Sequence, residues 1–225
     1  MRHTFKRLLV LAASMLLVPC AASGAVLTAD TRWQGEVSLT EDLLVPAGVT
    51  LTIAPGTTVR VAKSESTKTD PEYLSPLVEI TVRGTLRAEG SAKERIRFAA
   101  AGAPRQGEWG GILIDGGAAT LSSCLIESAE SGLHLLEGSL EVRGSVISGN
   151  RYGAVLQGKG ATLRGEGNLL TGNDYGLVGF QGAPAPGAVF RTDKNLKKEL
   201  LALRPGDIPP ETAPPSPPAA TGTRR

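Results

Sequence analysis

Gly111-Ile112-Leu113-Ile114, Gly132-Leu133-His134-Leu135, Gly153-Ala154-Val155-Leu156 and Gly176-Leu177-Val178-Gly179 repeat one pattern at offsets of 21, 21 and 23 residues. Each segment begins with glycine and continues mainly with residues that favour β-strands. Gly149-Asn150 and Gly172-Asn173 mark an equivalent turn in two of the repeats. A repeat this short predicts stacked turns of one coil, in which Asn150 and Asn173 begin an asparagine ladder.

The same strand pattern extends upstream. Apolar and polar residues alternate through residues 26–61, and the alternation returns between Val78 and Phe98. Period-two alternation is typical of strands with one buried face. Residues 63–76 interrupt it with charged residues, Ser, Thr and two prolines. This segment is therefore predicted to be a loop that protrudes from the coil, and it is a secondary candidate for a site.

Three repeat folds have periods in the low twenties, and the spacing separates them. A left-handed hexapeptide helix requires a strict six-residue beat, which offsets of 21 and 23 break. A leucine-rich repeat requires an asparagine three residues after its last strand leucine, but counting on from Val142 gives Ser145. A right-handed parallel β-helix tolerates turns of variable length, so it is the fold that remains.

Three motifs, in this order, resemble secreted bacterial right-handed β-helix proteins of the pectin-lyase-like superfamily. They are Val45–Thr57 (VPAGVTLTIAPGT), Val82–Leu86 (VRGTL) and Glu108–Ile112 (EWGGI). The likeness covers about residues 32–182. It implies an all-β fold, a single-stranded right-handed parallel β-helix of about six turns. Because the superfamily contains lyases, hydrolases, adhesins and proteins of no known activity, the resemblance implies a fold rather than a function.

The predicted domain order is a signal peptide (1–25), the β-helix (26–190), a short C-terminal capping helix (191–204) and a disordered proline-rich tail (205–225). Three cations, an apolar run over 8–18 and small residues over 21–25 are typical of a secretory leader. We therefore expect a secreted or periplasmic protein. Lipidation at Cys20 is the poorer alternative, because Pro19 does not suit such a site.

Composition excludes several classes of function. Without the three cations of the leader the net charge falls from +2 to −1, so the basic pI gives no reason to expect nucleic acid as a partner. No later segment has the roughly 20 apolar residues of a membrane span. Without the leader, Cys124 is the only cysteine and His134 the only histidine, which argues against a disulfide, a metal centre or any cofactor. Cys124 is interpreted as a core residue.

Lyases that resemble this fold hold calcium between carboxylates on neighbouring turns, with a lysine or arginine as the base. The columns Asp115, Leu136, Gln157, Phe180 and Glu127, Ser148, Thr171 do not stack acid on acid. The one charged column is Trp109, Glu130, Arg151, Asp174, and its charges alternate in sign. We interpret it as a surface ion-pair ladder. The alternative is a catalytic group of Glu130, Arg151 and Asp174.

The neighbouring column contains Gly110, Ser131, Tyr152 and Tyr175, with Trp109 diagonally close. Two stacked tyrosines with a nearby tryptophan can form a sugar-binding surface, so Trp109, Tyr152 and Tyr175 are the candidate ligand-binding residues. The alternative is ordinary cross-strand packing.

A third column places Leu113, His134, Val155 and Val178 on the outside of the coil, where a bare apolar stripe is unusual. We expect the helix that carries Leu196, Leu200 and Leu203 to cover it, with His134 at the rim. If the stripe is uncovered, self-association through Leu113, Val155 and Val178 is the alternative.

These observations favour a non-catalytic β-helix module that binds polysaccharide or builds the cell envelope. Whether the protein is an enzyme stays open; the alternating charges and the single modest insertion argue against it. The alternatives are a polysaccharide lyase or glycoside hydrolase, for which alone Ca²⁺ would be expected, and a self-assembling structural subunit.

Overall fold

Short strands with alternating burial dominate the chain. The computed structural model describes residues 26–64, 77–204 and 207, together with the backbone of residues 20–22. In these residues it has twenty-one strands and no helix. In strand after strand the apolar side chains point to one side and the polar ones to the other, because successive side chains of a strand face opposite ways.

The strands, numbered in chain order, form three parallel sheets that we call A, B and C. Sheet A contains β1 (Cys20–Ala22), β3 (Glu36–Leu39), β6 (Thr58–Val61), β9 (Ile96–Ala100), β12 (Cys124–Glu127), β15 (Val146–Ser148), β18 (Asn168–Thr171) and β20 (Phe190–Asp193). Sheet B contains β4 (Leu43–Val45), β7 (Glu79–Val82), β10 (Trp109–Ile114), β13 (Ala129–Leu135), β16 (Tyr152–Leu156), β19 (Tyr175–Phe180) and β21 (Lys198–Leu203). Sheet C contains β2 (Thr31–Trp33), β5 (Thr50–Ile53), β8 (Thr85–Glu89), β11 (Ala118–Ser122), β14 (Ser139–Arg143) and β17 (Thr162–Glu166).

From β2 onward the chain visits sheets C, A and B in turn six times, then adds β20 and β21 as an incomplete seventh turn. This is a parallel β-helix, and the prediction of an all-β coil of about six turns is confirmed. Residues that pair across neighbouring strands form columns along the coil. One inward column of sheet B consists of Val45, Val82, Ile114, Leu135 and Leu156, none more than 1% exposed. Burying each such side chain stabilises the fold by about 1.5–3 kcal/mol.

The predicted asparagine ladder is present where sheet A turns into sheet B. Asn150 donates its backbone N–H and its Nδ2–H to Oδ1 of Asn173, at 2.9 and 3.0 Å. Asn173 in turn donates to Oδ1 of Asn195, which extends the ladder by one turn. The residue before each ladder position has a positive φ, in the left-handed region: Ser128, Gly149, Gly172 and Lys194, at 65°, 65°, 64° and 59°. The turn is thus fixed by backbone conformation and by a buried amide together.

A second polar ladder lies where sheet C turns into sheet A. The Cys124 N–H donates to Ser145 Oγ, and the Ser145 N–H donates to Asn168 Oδ1 at 2.9 Å. Asn168 Nδ2 then donates to the carbonyls of Val142 and Val189. Cys124 is fully buried, as expected of a core residue.

Sheet B contains a β-bulge that the sequence comparison does not reveal. Gly111 pairs with Ser131, but the next residue, Ile112, pairs with Leu133, so Gly132 is an extra residue on β13. The predicted columns are therefore wrong by one residue at their upstream end. Trp109 pairs with Ala129 instead of lying beside Glu130, and Gly111 replaces Gly110 beside Ser131. A Cβ at Gly132 would lie 2.5 Å from the Ile147 side chain, which explains the glycine.

The predicted capping helix over 191–204 is wrong, because this segment forms β20 and β21. β21 pairs with β19 over most of its length, and the Gln181 N–H donates to the Leu203 carbonyl at 2.8 Å. Pairing of β21 with β19 satisfies the backbone groups at this open sheet edge, which a helix would leave unpaired, so tertiary context outweighs the helical spacing of its leucines. The coil therefore extends to Leu203. Leu196 and Leu200 are 70% and 59% exposed.

Several predictions lie outside the described residues. These are the leader, apart from the backbone of residues 20–22, residues 65–76 of the predicted loop over 63–76, which we call the insertion, and the tail after Arg204, apart from Asp207. Within the described part of the chain, no helix has the length and apolar character needed to cross a membrane.

Candidate binding face on sheet B

The outward side of sheet B collects the candidate residues on three neighbouring columns. The first column contains Ser131, Tyr152 and Tyr175; the second contains Leu113, His134, Val155 and Val178; the third contains Asp115, Leu136, Gln157 and Phe180. Neighbouring strands are about 4.8 Å apart, so equivalent groups recur at that interval along the coil. We call this surface the sheet B face.

The two tyrosines stack as predicted. Their ring centroids are 5.5 Å apart with an interplanar angle of 29°. The Arg151 guanidinium lies 5.3 Å from the centroid of the Tyr152 ring, and the Lys197 ammonium lies 5.7 Å from that of Tyr175. Only 4% of Tyr152 and 6% of Tyr175 is exposed. The ring faces are thus engaged by each other and by cations, an arrangement that makes the pair a rigid part of the surface.

The charged column runs directly beside the tyrosines. Arg151 Nη1 lies 3.5 Å from Glu130 Oε1, and Lys197 Nζ lies 3.2 Å from Asp174 Oδ2. These four side chains are between 15% and 37% exposed, so each pair has one side toward solvent. The column therefore places Glu130, Arg151 and Asp174 together, as the sequence predicts. Lys197 is a fourth member, which was not predicted because residues 191–204 were expected to form a helix. It presents carboxylates and cations in alternation.

Trp109, a predicted ligand-binding residue, lies inside the coil. It is 0% exposed, packs within the core, and donates its indole N–H to the Glu127 carbonyl at 2.9 Å. The bulge next to Gly111 shifts Trp109 out of the charged column and into the interior. Its predicted place beside the two tyrosines is therefore wrong, and its large apolar surface stabilises the core.

The predicted outer stripe is in register but scarcely accessible. Leu113, Val155 and Val178 are 3%, 6% and 1% exposed. Together with the tyrosines, the last two belong to a packed cluster that also includes Leu201 and Leu203. The predicted helix does not cover them; Leu201 of β21 pairs with Val178 and extends the stripe instead. The stripe therefore offers little surface for contact with another molecule.

His134 lies in the middle of this stripe rather than at its rim. Its Nε2 is 2.9 Å from Gln157 Oε1, and burial lowers its pKa to about 4, against an opposing effect of the Gln157 hydrogen bond. A neutral imidazole at ordinary pH suits packing against Val155 and Leu113. Nothing in this geometry resembles a metal ligand or a general base exposed to substrate.

An acidic pair that sequence reasoning missed lies at the upstream end of the sheet B face. Because Leu43 pairs with Ile80, Asp42 and Glu79 occupy equivalent positions on neighbouring strands. Asp42 Oδ1 accepts a hydrogen bond from the Glu79 N–H at 2.9 Å, and Glu79 Oε1 accepts one from Thr81 Oγ1 at 3.2 Å. The insertion lies between the two acids in the sequence and lengthens that turn, so no constant offset could have paired them.

The base of the insertion lies near this pair. The Val78 N–H donates to the Ser64 carbonyl, and Lys63 Nζ lies 3.2 Å from Glu108 Oε1. Among the residues that the structure describes, no three His, Cys, Asp or Glu side chains are grouped so that they could hold a metal ion.

A family model described as a pectate-lyase like beta helix domain matches residues 25–141, more than half of the chain. The matched range includes the insertion, the acidic pair and the upstream half of the sheet B face. Comparisons with curated proteins and with solved structures gave no match.

Proposed function

The chain belongs to the family of proteins with a pectate-lyase-like β-helix domain, and on that premise we propose that it is a secreted or periplasmic, non-catalytic module that binds polysaccharide of the cell envelope. Its binding residues are those of the charged column, which the buried tyrosine pair on the sheet B face supports. The family alone supplies the scaffold; the side chains on this face supply the argument for a ligand.

The observation that supports this proposal is the alternation of partly exposed carboxylates and cations at strand spacing. Glu130 and Asp174 accept hydrogen bonds, and Arg151 and Lys197 donate them, about 4.8 Å apart from strand to strand of sheet B. A sugar hydroxyl can donate and accept at once, so a polymer with regularly repeated hydroxyls matches such a column. The stacked tyrosines hold Arg151 and Lys197 in place and reduce the entropy lost on binding.

The test is a glycan-array screen of the exported protein, with and without calcium, followed by an affinity measurement on each ligand found. Arg151→Ala and Lys197→Ala should each weaken binding about tenfold, equivalent to about 1.4 kcal/mol. Arg164→Ala is the control, because Arg164 is an exposed cation on sheet C. Absence of glycan binding, or equal effects of the three substitutions, would contradict the proposal.

A polysaccharide lyase or glycoside hydrolase is the second candidate, and the acidic pair favours it. Asp42 and Glu79 are two acids at equivalent positions on neighbouring strands near the base of the insertion, with Glu79 3% exposed, and such an enzyme needs a pair of carboxylates. Incubation of each ligand with the protein, with and without calcium, followed by an assay for unsaturated or reducing ends, tests this candidate. Turnover that is lost in Asp42→Asn but kept in Asp115→Asn would establish an enzyme and overturn the non-catalytic proposal.

A further inference from the structure

The large apolar side chains that are exposed in the described residues lie at the two ends of the coil. They are Val26, next to the first strand of sheet B, and Leu196 and Leu200, in the last turn, with exposures of 55%, 70% and 59%. Leu200 belongs to an inward column, and in the described residues no further strand follows β21 to cover it. An uncovered coil end combines unpaired strand edges with core side chains, and natural β-proteins seldom leave such an edge bare.

The end of the coil also contains a pocket of about 570 Å³. Its lining is mainly apolar and includes Leu177, Phe180, Leu200 and Leu203. The pocket forms because the inward column that contains Ile114, Leu135 and Leu156 continues as Gly179 and Ala202. The side chains of this column are therefore smaller in the last two turns, and they leave a space in the core that a covering group could fill.

The pairing register of β21 suits β4 of a second copy. The column of Leu200 begins with Leu43, the column of Leu201 includes Leu44, and the column of Ala202 includes Val45. A second copy placed one strand spacing beyond β21 would thus set each leucine against a leucine, and Val45 against the small Ala202 next to the pocket. The sheet would continue with the side-chain pattern it already has.

Charges at the two ends are complementary. Residues 36–45 contain three acids and no cation, whereas residues 190–203 contain four cations and two acids. Glu199 lies at the position of the extra residue Gly132 and has no counterpart on β4, so the column of Lys198 begins with Asp42 and that of Lys197 begins with Glu41. In the continued register, Lys198 therefore meets Asp42 and Lys197 meets Glu41 of the next copy. In sheet A, Arg191 lies in the column that begins with Glu36. Opposite charges that meet in register favour this orientation over end-to-end contact between two like ends.

We propose that copies of the processed protein associate head to tail, with β21 of one copy continuing sheet B at β4 of the next. The surface is different at the two ends, so the contact is heterologous and leaves one open end at each side of a pair. Association therefore extends with concentration instead of stopping at a dimer. This inference does not depend on the proposed polysaccharide ligand, because the sheet B face stays on the side of the coil.

Two segments now occupy the upstream end. β1 pairs with β3, and Val26 holds β4 through one isolated bridge and a hydrogen bond from the Leu27 N–H to the Leu44 carbonyl. Removal of the predicted leader takes β1 away. Val26 then competes with the six-residue β21 for the same edge, and β21 offers the longer ladder. Association is accordingly a property of the processed chain.

Sedimentation velocity of the exported protein, with its N-terminus determined by intact mass, tests the proposal. We expect average mass to rise with concentration and to fall when salt is raised, since the end charges attract. Lys198→Glu should weaken association about tenfold, whereas Lys159→Glu, the same charge reversal on an exposed loop, should leave it unchanged. A monomer at the highest soluble concentration, or equal effects of the two variants, would overturn the proposal.

Single-cysteine variants then determine the orientation. Glu41→Cys and Lys197→Cys, treated with a short thiol cross-linker, should give a cross-linked species only when the two proteins are mixed. Because Cys124 is buried in the core, we expect it not to react under these conditions. Cross-linking of either variant with itself would show contact between like ends and would contradict the head-to-tail arrangement, even if the protein self-associates.

Discussion

Replacing Asn173 by alanine should remove the centre of the asparagine ladder. The side chain of Asn173 is 0% exposed and makes four hydrogen bonds. Its Oδ1 accepts from the N–H and Nδ2 of Asn150, and its Nδ2 donates to Ile147 O and Asn195 Oδ1, all between 2.9 and 3.1 Å. At about 1 kcal/mol for each bond, Asn173→Ala should lower the free energy of unfolding by about 4 kcal/mol. That is a large part of the 5–15 kcal/mol typical of a domain.

Urea denaturation followed by circular dichroism measures this loss. Asn195→Ala is a graded comparison: Asn195 is half-buried, so water can replace its bonds, and the loss should be about 1–2 kcal/mol. Amide hydrogen exchange adds a local test, because the Asn150 N–H donates directly to Asn173 Oδ1 and should lose protection in Asn173→Ala. A loss below about 1 kcal/mol for Asn173→Ala, or unchanged protection at Asn150, would refute the view that the ladder supports this turn.

Three further predictions concern the interior and the sheet B face. Burial lowers the pKa of His134 from 6.5 to about 4, so the unfolded chain binds more protons than the folded chain between these pH values. The free energy of unfolding should therefore fall by about 3 kcal/mol as pH drops through this range. Urea denaturation at each pH measures this loss, and His134→Gln should remove it. Gly153→Ala should lower the melting temperature, since its Cβ would lie 2.5 Å from the Gly176 carbonyl oxygen, whereas Gly160→Ala, with open space around it, should have little effect; equal shifts would contradict the steric argument. Burial raises the pKa of Cys124 to about 12, so a thiol reagent should modify it only at the rate of global unfolding, and fast labelling of the native protein would contradict its placement in the core.

The downstream half of the coil could be predicted well because its period is short and nearly constant. Equal offsets place Tyr152 beside Tyr175 and Asn150 beside Asn173, and both pairs are in contact. In a coil of parallel strands, position in the repeat translates directly into position in space, so periodicity alone is informative. The same reasoning correctly identifies Leu113 and Val155 as members of one outward column.

The failures have local physical causes. One extra residue, Gly132, shifts the phase of sheet B and hides the true place of Trp109. The insertion separates Asp42 from Glu79 in the sequence and lengthens that turn. The segment after Asp193 has a helical spacing of leucines that is also compatible with a strand, and only the sheet edge left open by β19 decides between them. Such long-range pairing is not encoded in any local pattern.

The bulge at Gly111 also divides the coil into two sections that differ in how whole turns can be added to them by duplication. Within the downstream section every turn keeps one phase, so a duplication of the gene segment for residues 150–172 would insert one further turn and lengthen the coil by about 4.8 Å. A duplication that joined a turn from before Gly111 to one from after it would leave sheet B one residue out of step, and its outward and inward residues would exchange places. Length in this protein can therefore evolve by whole turns on one side of the bulge, while the boundary itself stays fixed.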